Sequence, residues 1–425
     1  MNIINIRKVA LCTSIAVTLT LTSCYRGQEV PLAESALSLD PVTAMSAKLI
    51  SDSIEPRAVQ NALKMVADWQ LAQYDVKTNM FYEDASADGH PQGWVYAALY
   101  VGLNSWAEVA PTKDYMEAMR HLGQVNEWKH APRPYNADDY AIGQMYIDLY
   151  EEYQDPQMLA PTKDLLDMIE AYPRTNVSLE FTKLKGADGA YLKEIHGPWV
   201  YKVVPCQSRW CWADSLFMGP PVWAHMSTVT GDSKYLNYMD KEFWAATEYL
   251  FDETENLYFR DHNYFDKRGS DGKKIFWGRG NGWAFAGLAR ILNHIPQDHP
   301  TRSKYEELFQ KMAQRLIELQ TKSGYWGASL LSSKDYADPE TSGTGFLTYG
   351  LAWGVNNGLL DRETTMPAIE KGWSALVKAV HPDGKLGWVQ RVGNSPDNVK
   401  YDDTQLYGVG AYLMAGAEIY KLGVK

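Results

Sequence analysis

Cysteine is scarce in this sequence: four in 425 residues, at Cys12, Cys24, Cys206 and Cys211. No Cys or His pair stands at metal-ligand spacing, so the sequence predicts no metal site and no cofactor. Basic residues are outnumbered too, 41 Lys and Arg against 52 Asp and Glu, for a formal net charge of -11. That balance argues against nucleic acid, whose phosphates require a basic patch. It also disfavours a long groove gripping an anionic polymer, although one or two local arginines can hold a single anionic end group. Strand signals are few, with small hairpins expected only around Trp199–Val204 and Lys273–Trp277. No apolar run is long enough to span a bilayer. The first one, "VALCTSIAVTLTLTS", is short and follows Arg7 and Lys8, the pattern of a signal peptide.

That run ends in "LTSC", Leu21 to Cys24, which spells a bacterial lipobox. Residues 1–23 are therefore expected to be a lipoprotein signal peptide, with lipid attached at Cys24 and a tether over 24–54. The protein would sit in the periplasm or at the cell surface, touching membrane only through the anchor. Cys206 and Cys211 would then meet an oxidising compartment, where a disulfide and two buried thiols both remain open.

From residue 55 to 425 the chain reads as one domain dominated by helical periodicity. Helices are expected near 55–74, 92–108, 112–129, 137–153, 157–171, 211–229, 232–250, 280–294, 301–321, 341–357, 363–380 and 403–421. They alternate in character. One set opens on Gly- and aromatic-rich stretches such as "PQGWVYAALYVGL", "GRGNGWAFAGLA" and "DDTQLYGVGAYLMAG". The other is plainer with a charged face, as in "TRSKYEELFQKMAQRLIELQ". Small residues allow close packing around a crowded axis, so the first set reads as inner and the second as outer. The fold class is all-α, an (α/α)6 barrel of six helical hairpins with small β elements in loops. Inner helices of such a barrel bring their N-termini to one mouth, where carboxylates are favoured.

Three stretches place chemistry at that mouth. In "SRWCWADSLFMGPPVWAHM" a lone carboxyl, Asp214, sits among Trp210, Trp212, Phe217, Met218 and Trp223. It is either an N-cap or an acid whose pKa is raised by desolvation, as a general acid requires. "NADDY" supplies Asp138 and Asp139, one acid more than a cap needs. A further doublet, Asp402 and Asp403, carries less weight. "FWGRGNGWAF" holds Arg279 between glycines, suited either to a substrate carboxylate or to the carbonyls of its own turn. Its spacing is not that of a dinucleotide loop. Trp212, Trp283, Trp353 and Trp388 offer stacking walls, or core. His262, in "RDHNYFD", has no role from spacing alone. Two acids from different helices facing one cavity suit glycoside chemistry.

Taken in order, "NADDYAIGQMY", "WCWADSLFMGPP", "FWGRGNGWAFAG", "ETSGTGFLTYGLAWG" and "DDTQLYGVGAYLMAGAE" resemble the unsaturated glucuronyl and rhamnogalacturonyl hydrolases, glycoside hydrolase families 88 and 105. The resemblance runs from about residue 55 to the C-terminus and looks closer to family 105. It implies an exo-acting hydrolase that releases a terminal 4,5-unsaturated uronate from oligosaccharides made by polysaccharide lyases. The substrate is protonated at C4 and hydrated at C5. The resemblance further implies Asp214 as proton donor and Asp138, or its neighbour Asp139, as the second aspartate. It puts Arg279, Trp283, Trp212, His262 and Trp388 around the sugar. The long segment "FTKLKGADGAYLKEIHGPW" separates the acid motifs more widely than the family pattern and would shape the aglycone side. Two rival readings share these features: another (α/α)6 glycosidase acting on saturated glycans, and a non-catalytic, lipid-anchored glycan-binding protein.

Overall fold

Alternating long helices form wherever the chain combines apolar positions at three- and four-residue spacing with a start signal. Asp155, Asp232 and Asp361 each cap a helix by accepting a backbone N–H, and Pro156 opens its helix where its missing N–H costs nothing. The structure is a computed structural model that describes residues 50–81, 90–182, 204–332 and 334–424, all within one compact unit, Ala33–Lys425. The signal peptide, Cys24 and most of the tether lie outside the described residues. So do residues 183–199 of the long segment between the acid motifs.

Among the described residues the helices alternate in burial. Pro56–Ala72, Asp114–Val125, Pro156–Ala171, Ser233–Leu250, Arg302–Leu319 and Arg362–Lys378 each bury one face. Their partners are buried almost all round: Trp94–Val109, Gly143–Tyr153, Pro220–Thr230, Gly278–Leu292, Thr341–Asn356 and Leu406–Val424. Each inner helix packs against the next, and the last packs against the first, so the inner six close a ring. The closing seam needs glycine. A Cβ on Gly410 would stand 2.1 Å from the Ala98 carbonyl oxygen, and one on Gly102 2.3 Å from that of Gly410. No side chain fits between those backbones.

Two inner helices are broken near the mouth. Ala137–Tyr140 is a single turn before Gly143–Tyr153, and Ser215–Met218 precedes Pro220–Thr230, where Pro220 and Pro221 interrupt the ladder. The β content differs from expectation. The two antiparallel pairs are Tyr74–Asp75 with Met80–Phe81 and Phe251–Asp252 with Leu257–Tyr258. Lys273–Trp277 forms only single bridges, Arg268 to Lys274 and Trp277 to Ser329, because its chain leaves directly into the Gly278 helix. Of the segment expected at Trp199–Val204, only Val204 falls among the described residues.

Candidate active site

A cavity of about 510 Å³ opens at the N-terminal ends of the inner helices. Gly93 and Trp94 start one helix, Asp138 and Asp139 the next, and Asp214 and Met218 the third, and all of them line it. Positive helix ends pointing at one space favour negative groups there.

Asp214 directly precedes Ser215–Met218, yet its side chain makes no capping bond. It faces the cavity instead, its side chain 13% exposed. Oδ2 is buried and accepts no hydrogen bond; Arg260 Nε lies 3.5 Å away without satisfying it. Burial pushes the Asp214 carboxyl above the usual aspartate range. Arg260, Arg279 and its own backbone amide pull it back, and Asp261 adds to the rise. The backbone here is fastened by three ties. The Ala213 N–H donates to the Arg260 carbonyl at 2.8 Å. Cys206 and Cys211 form a disulfide, with both residues buried. Arg209 donates to Glu242 at 2.7 Å and to the Val177 carbonyl at 2.9 Å.

The acid doublet divides its work. The Asn136 side chain accepts the Asp138 N–H at 3.0 Å and fixes the start of that turn. Asp139 turns inward, 3% exposed, and is gripped by Arg133. The Arg133 Nε donates to Oδ1 at 3.0 Å and to Oδ2 at 3.1 Å, its Nη2 to Oδ1 at 2.5 Å, and its backbone N–H to Oδ2 at 2.7 Å. Asp138 is half-buried at the cavity wall, close enough to act electrostatically on Arg260.

Trp212 lines the cavity, but four residues expected around the sugar do not. Arg279 is fully buried. Nη1 donates to the Gln390 carbonyl at 2.8 Å and Nη2 to the Arg391 carbonyl at 3.1 Å. The guanidinium also stacks over Trp277 and Tyr407. It ties down the 390–393 loop from behind, and that loop presents Val392 and Gly393 to the cavity. Trp283 is fully buried too, packed on Phe217, Phe346 and the underside of Trp94, the ring that does reach the cavity. His262 accepts the Phe181 N–H on Nδ1 at 2.7 Å, and Asn263 donates to the Phe181 carbonyl. Their effect is to position Phe181, a wall residue. Trp388 sits in a left-handed turn, φ 56°, with its carbonyl on the Thr341 N–H, and packs on Tyr401. Asp403 pairs with Arg391, and Asp402 is exposed beside His381, both away from the cavity.

Sequence reasoning passed over Arg260, His90, Arg133, Phe181 and Gln207, all of which line the cavity. The available signal was the adjacent Arg260–Asp261 pair directly after the apolar run Leu257 to Phe259, where an ion pair needs a reason. Among the described residues, no three His, Cys, Asp or Glu side chains gather as a metal would need, and no helix is long and apolar enough to cross a membrane.

Carboxyls from separate inner helices, one of them raised in pKa by burial, stand at the mouth of a closed helical ring. That combination defines a helical-barrel glycoside hydrolase. The chain belongs to Glycosyl Hydrolase Family 88, whose family model matches residues 62–423. It is 40% identical over 412 residues to a protein of Alteromonas sp. (strain LOR) named unsaturated 3S-rhamnoglycuronyl hydrolase, covering 96% of this chain and 97% of that one. Among solved structures, a glycosyl hydrolase family 88 protein from Bacteroides vulgatus matches with a TM-score of 0.70 at 26% identity, over 86% of this chain and 99% of that one. A chain titled a polysaccharide lyase matches with a TM-score of 0.70 at 28% identity, over 86% and 98%.

Proposed function

We propose that the protein is an exo-acting hydrolase that removes a terminal 4,5-unsaturated uronate from lyase-generated oligosaccharides. The observation that carries this reading is Asp214: a buried carboxyl, held toward its protonated form, with one oxygen unpartnered at the cavity. An enol ether needs such an acid, because the slow step is proton delivery to carbon. Asp214 gives its proton to C4, and the positive charge that develops at C5 and the ring oxygen is stabilised by ionised Asp138. Water then bonds to C5 and returns a proton to Asp214. The resulting hemiketal opens to a ketone at C5, and the hemiacetal left at C1 expels the aglycone sugar. Trp212, Trp94 and Phe181 form the apolar walls that keep the acid dry.

The name of the 40% identical relative, unsaturated 3S-rhamnoglycuronyl hydrolase, supports an unsaturated 3S-rhamnoglycuronyl substrate. A screen of lyase-generated oligosaccharides tests both levels. Loss of the alkene's ultraviolet absorbance, slowed at least about 100-fold in Asp214→Asn, is the expected result, with the 3S-rhamnoglycuronyl substrate fastest. The polysaccharide lyase among the similar structures motivates a second reading. Elimination would create the alkene, so a rise in absorbance on saturated polymer, with no loss on unsaturated fragments, would replace the hydrolase reading.

The N-terminal pattern Leu21–Cys24 supports a lipid-anchored protein of the periplasm or cell surface. Incorporation of labelled fatty acid that disappears in Cys24→Ser tests it.

A further inference from the structure

We infer that Arg260, and not Arg279, receives the carboxylate of the unsaturated uronate, and that it does so directly beside the acid that protonates the sugar. This rests on the hydrolase reading above. The substrate's own geometry sets the requirement. Its carboxylate carbon is bonded to C5, the neighbour of the C4 that takes the proton. Whatever holds the carboxylate must therefore stand next to Asp214.

Arg260 meets that condition. Its Nε is 3.5 Å from Asp214 Oδ2, its side chain is 10% exposed, and it lines the cavity. Among the described residues its guanidinium donates one hydrogen bond, from Nη1 to Asp261 Oδ2 at 2.7 Å. Nε is buried with no partner. A guanidinium carries five N–H groups in a planar fork, and an incoming carboxylate can pair with those left over. The fork is already oriented: Asp261 grips one arm, and the Phe181 ring lies under the plane with its centroid 4.8 Å from Cζ. The Arg260 carbonyl holds the Ala213 N–H, so the arginine and the acid loop share one backbone tie.

The other arginines near the site are committed. Arg279 spends both terminal nitrogens on the Gln390 and Arg391 carbonyls and, though its Nε has no partner, it does not reach the cavity, while Arg133 spends its fork on Asp139. The pairing also serves the chemistry. In the free enzyme Arg260 draws Asp214 toward ionisation. A substrate carboxylate on Arg260 neutralises that pull and leaves the proton on Asp214 at the moment it is needed. Recognition of the acid group and loading of the catalytic proton become one event.

The test compares the unsaturated disaccharide as free acid and as methyl ester, within each variant. Wild type should prefer the free acid by about 100-fold in kcat/KM, as expected for a charge-assisted bidentate contact. Arg260→Gln should bring that ratio to within about three-fold of unity, chiefly through KM on the acid. Arg279→Gln should keep the wild-type ratio. The ratio is taken within one protein sample, so partial loss of folded enzyme cancels. Arg260→Gln with an unchanged ratio, or Arg279→Gln with a collapsed one, overturns the assignment, as does equal use of acid and ester by wild type. No turnover of either substrate by wild type overturns the hydrolase reading itself, and with it this one.

Discussion

Replacing Asp214 by asparagine should cost activity and add stability, and the pH at which it does so is set by the site. The ionised side chain would place a charge on Oδ2, which is buried and has no hydrogen-bond donor. Arg260 offsets part of that cost: at 3.5 Å and an effective dielectric of about 20, a unit pair gains roughly 5 kcal/mol. Arg279 and the backbone amide add to the offset, and Asp261 works against it. The net shift is upward, so burial outweighs the attraction. The folded protein therefore keeps a proton that the unfolded chain releases near pH 4. With more protons bound in the folded state, stability falls as pH rises from that unfolded value through the folded one. Each unit of elevation costs about 1.4 kcal/mol at neutral pH, equivalent to about 1–2 °C in a chain of this size. An amide cannot ionise and escapes the cost. Calorimetry of Asp214→Asn against wild type from pH 4 to 8 should show the variant melting higher at pH 7, with the gap closing toward pH 4. Its turnover should fall by about 10²- to 10⁴-fold, the usual contribution of a positioned acid. A variant that melts below wild type at pH 7 and matches it at pH 4 would mean that the carboxylate is ionised and well paired, and the general-acid argument would fail.

The doublet should split in the same experiments. Asp139→Asn breaks a buried clamp and should lose about 3 kcal/mol, the lower end for such pairs because Arg133 is partly solvated. Asp138→Asn should lower kcat, read by steady-state kinetics on the unsaturated disaccharide. Gly410→Ala should prevent the ring from closing, because its Cβ would stand 2.1 Å from a backbone oxygen; expression with loss of the cooperative melting transition checks it. Removing the Cys206–Cys211 disulfide with Ser at both positions should cost about 2 kcal/mol by loop entropy. It should also raise KM, since the loop it closes carries Gln207 into the cavity; calorimetry and steady-state kinetics on the double variant measure the two effects.

Much of the fold was legible because periodicity is a local property. The charged face of Arg302–Leu319 and the glycines of Thr341–Asn356 mark outer and inner helices without knowledge of any partner. The Gly-rich inner stretches were legible for the same reason: only small residues survive a crossing as tight as that of Gly102 and Gly410. What the sequence hides is where a polar group spends its bonds. Arg279, between two glycines and beside Trp277, carries every local mark of a ligand-binding arginine. Its fork is filled by carbonyls more than a hundred positions away, at Gln390 and Arg391. Trp283 misleads in the same way. It is adjacent to the cavity wall, one ring deep, with Trp94 in front of it.

The doublet shows why one residue matters at a helix start. Successive side chains on a helix diverge by about 100°, so Asp138 and Asp139 cannot share a task. The Asn136 side chain fixes the turn by taking the Asp138 N–H. That orientation delivers Asp139 to Arg133, where it closes the loop back to Ala131 through its own carbonyl as well. The loop then holds the wall from Ala131 to Arg133 in place. Asp138 is left at the cavity edge, within the field of Arg260. One acid builds the wall and the other works at it, so moving the pair by a single position would exchange a structural clamp for an acid aimed at substrate.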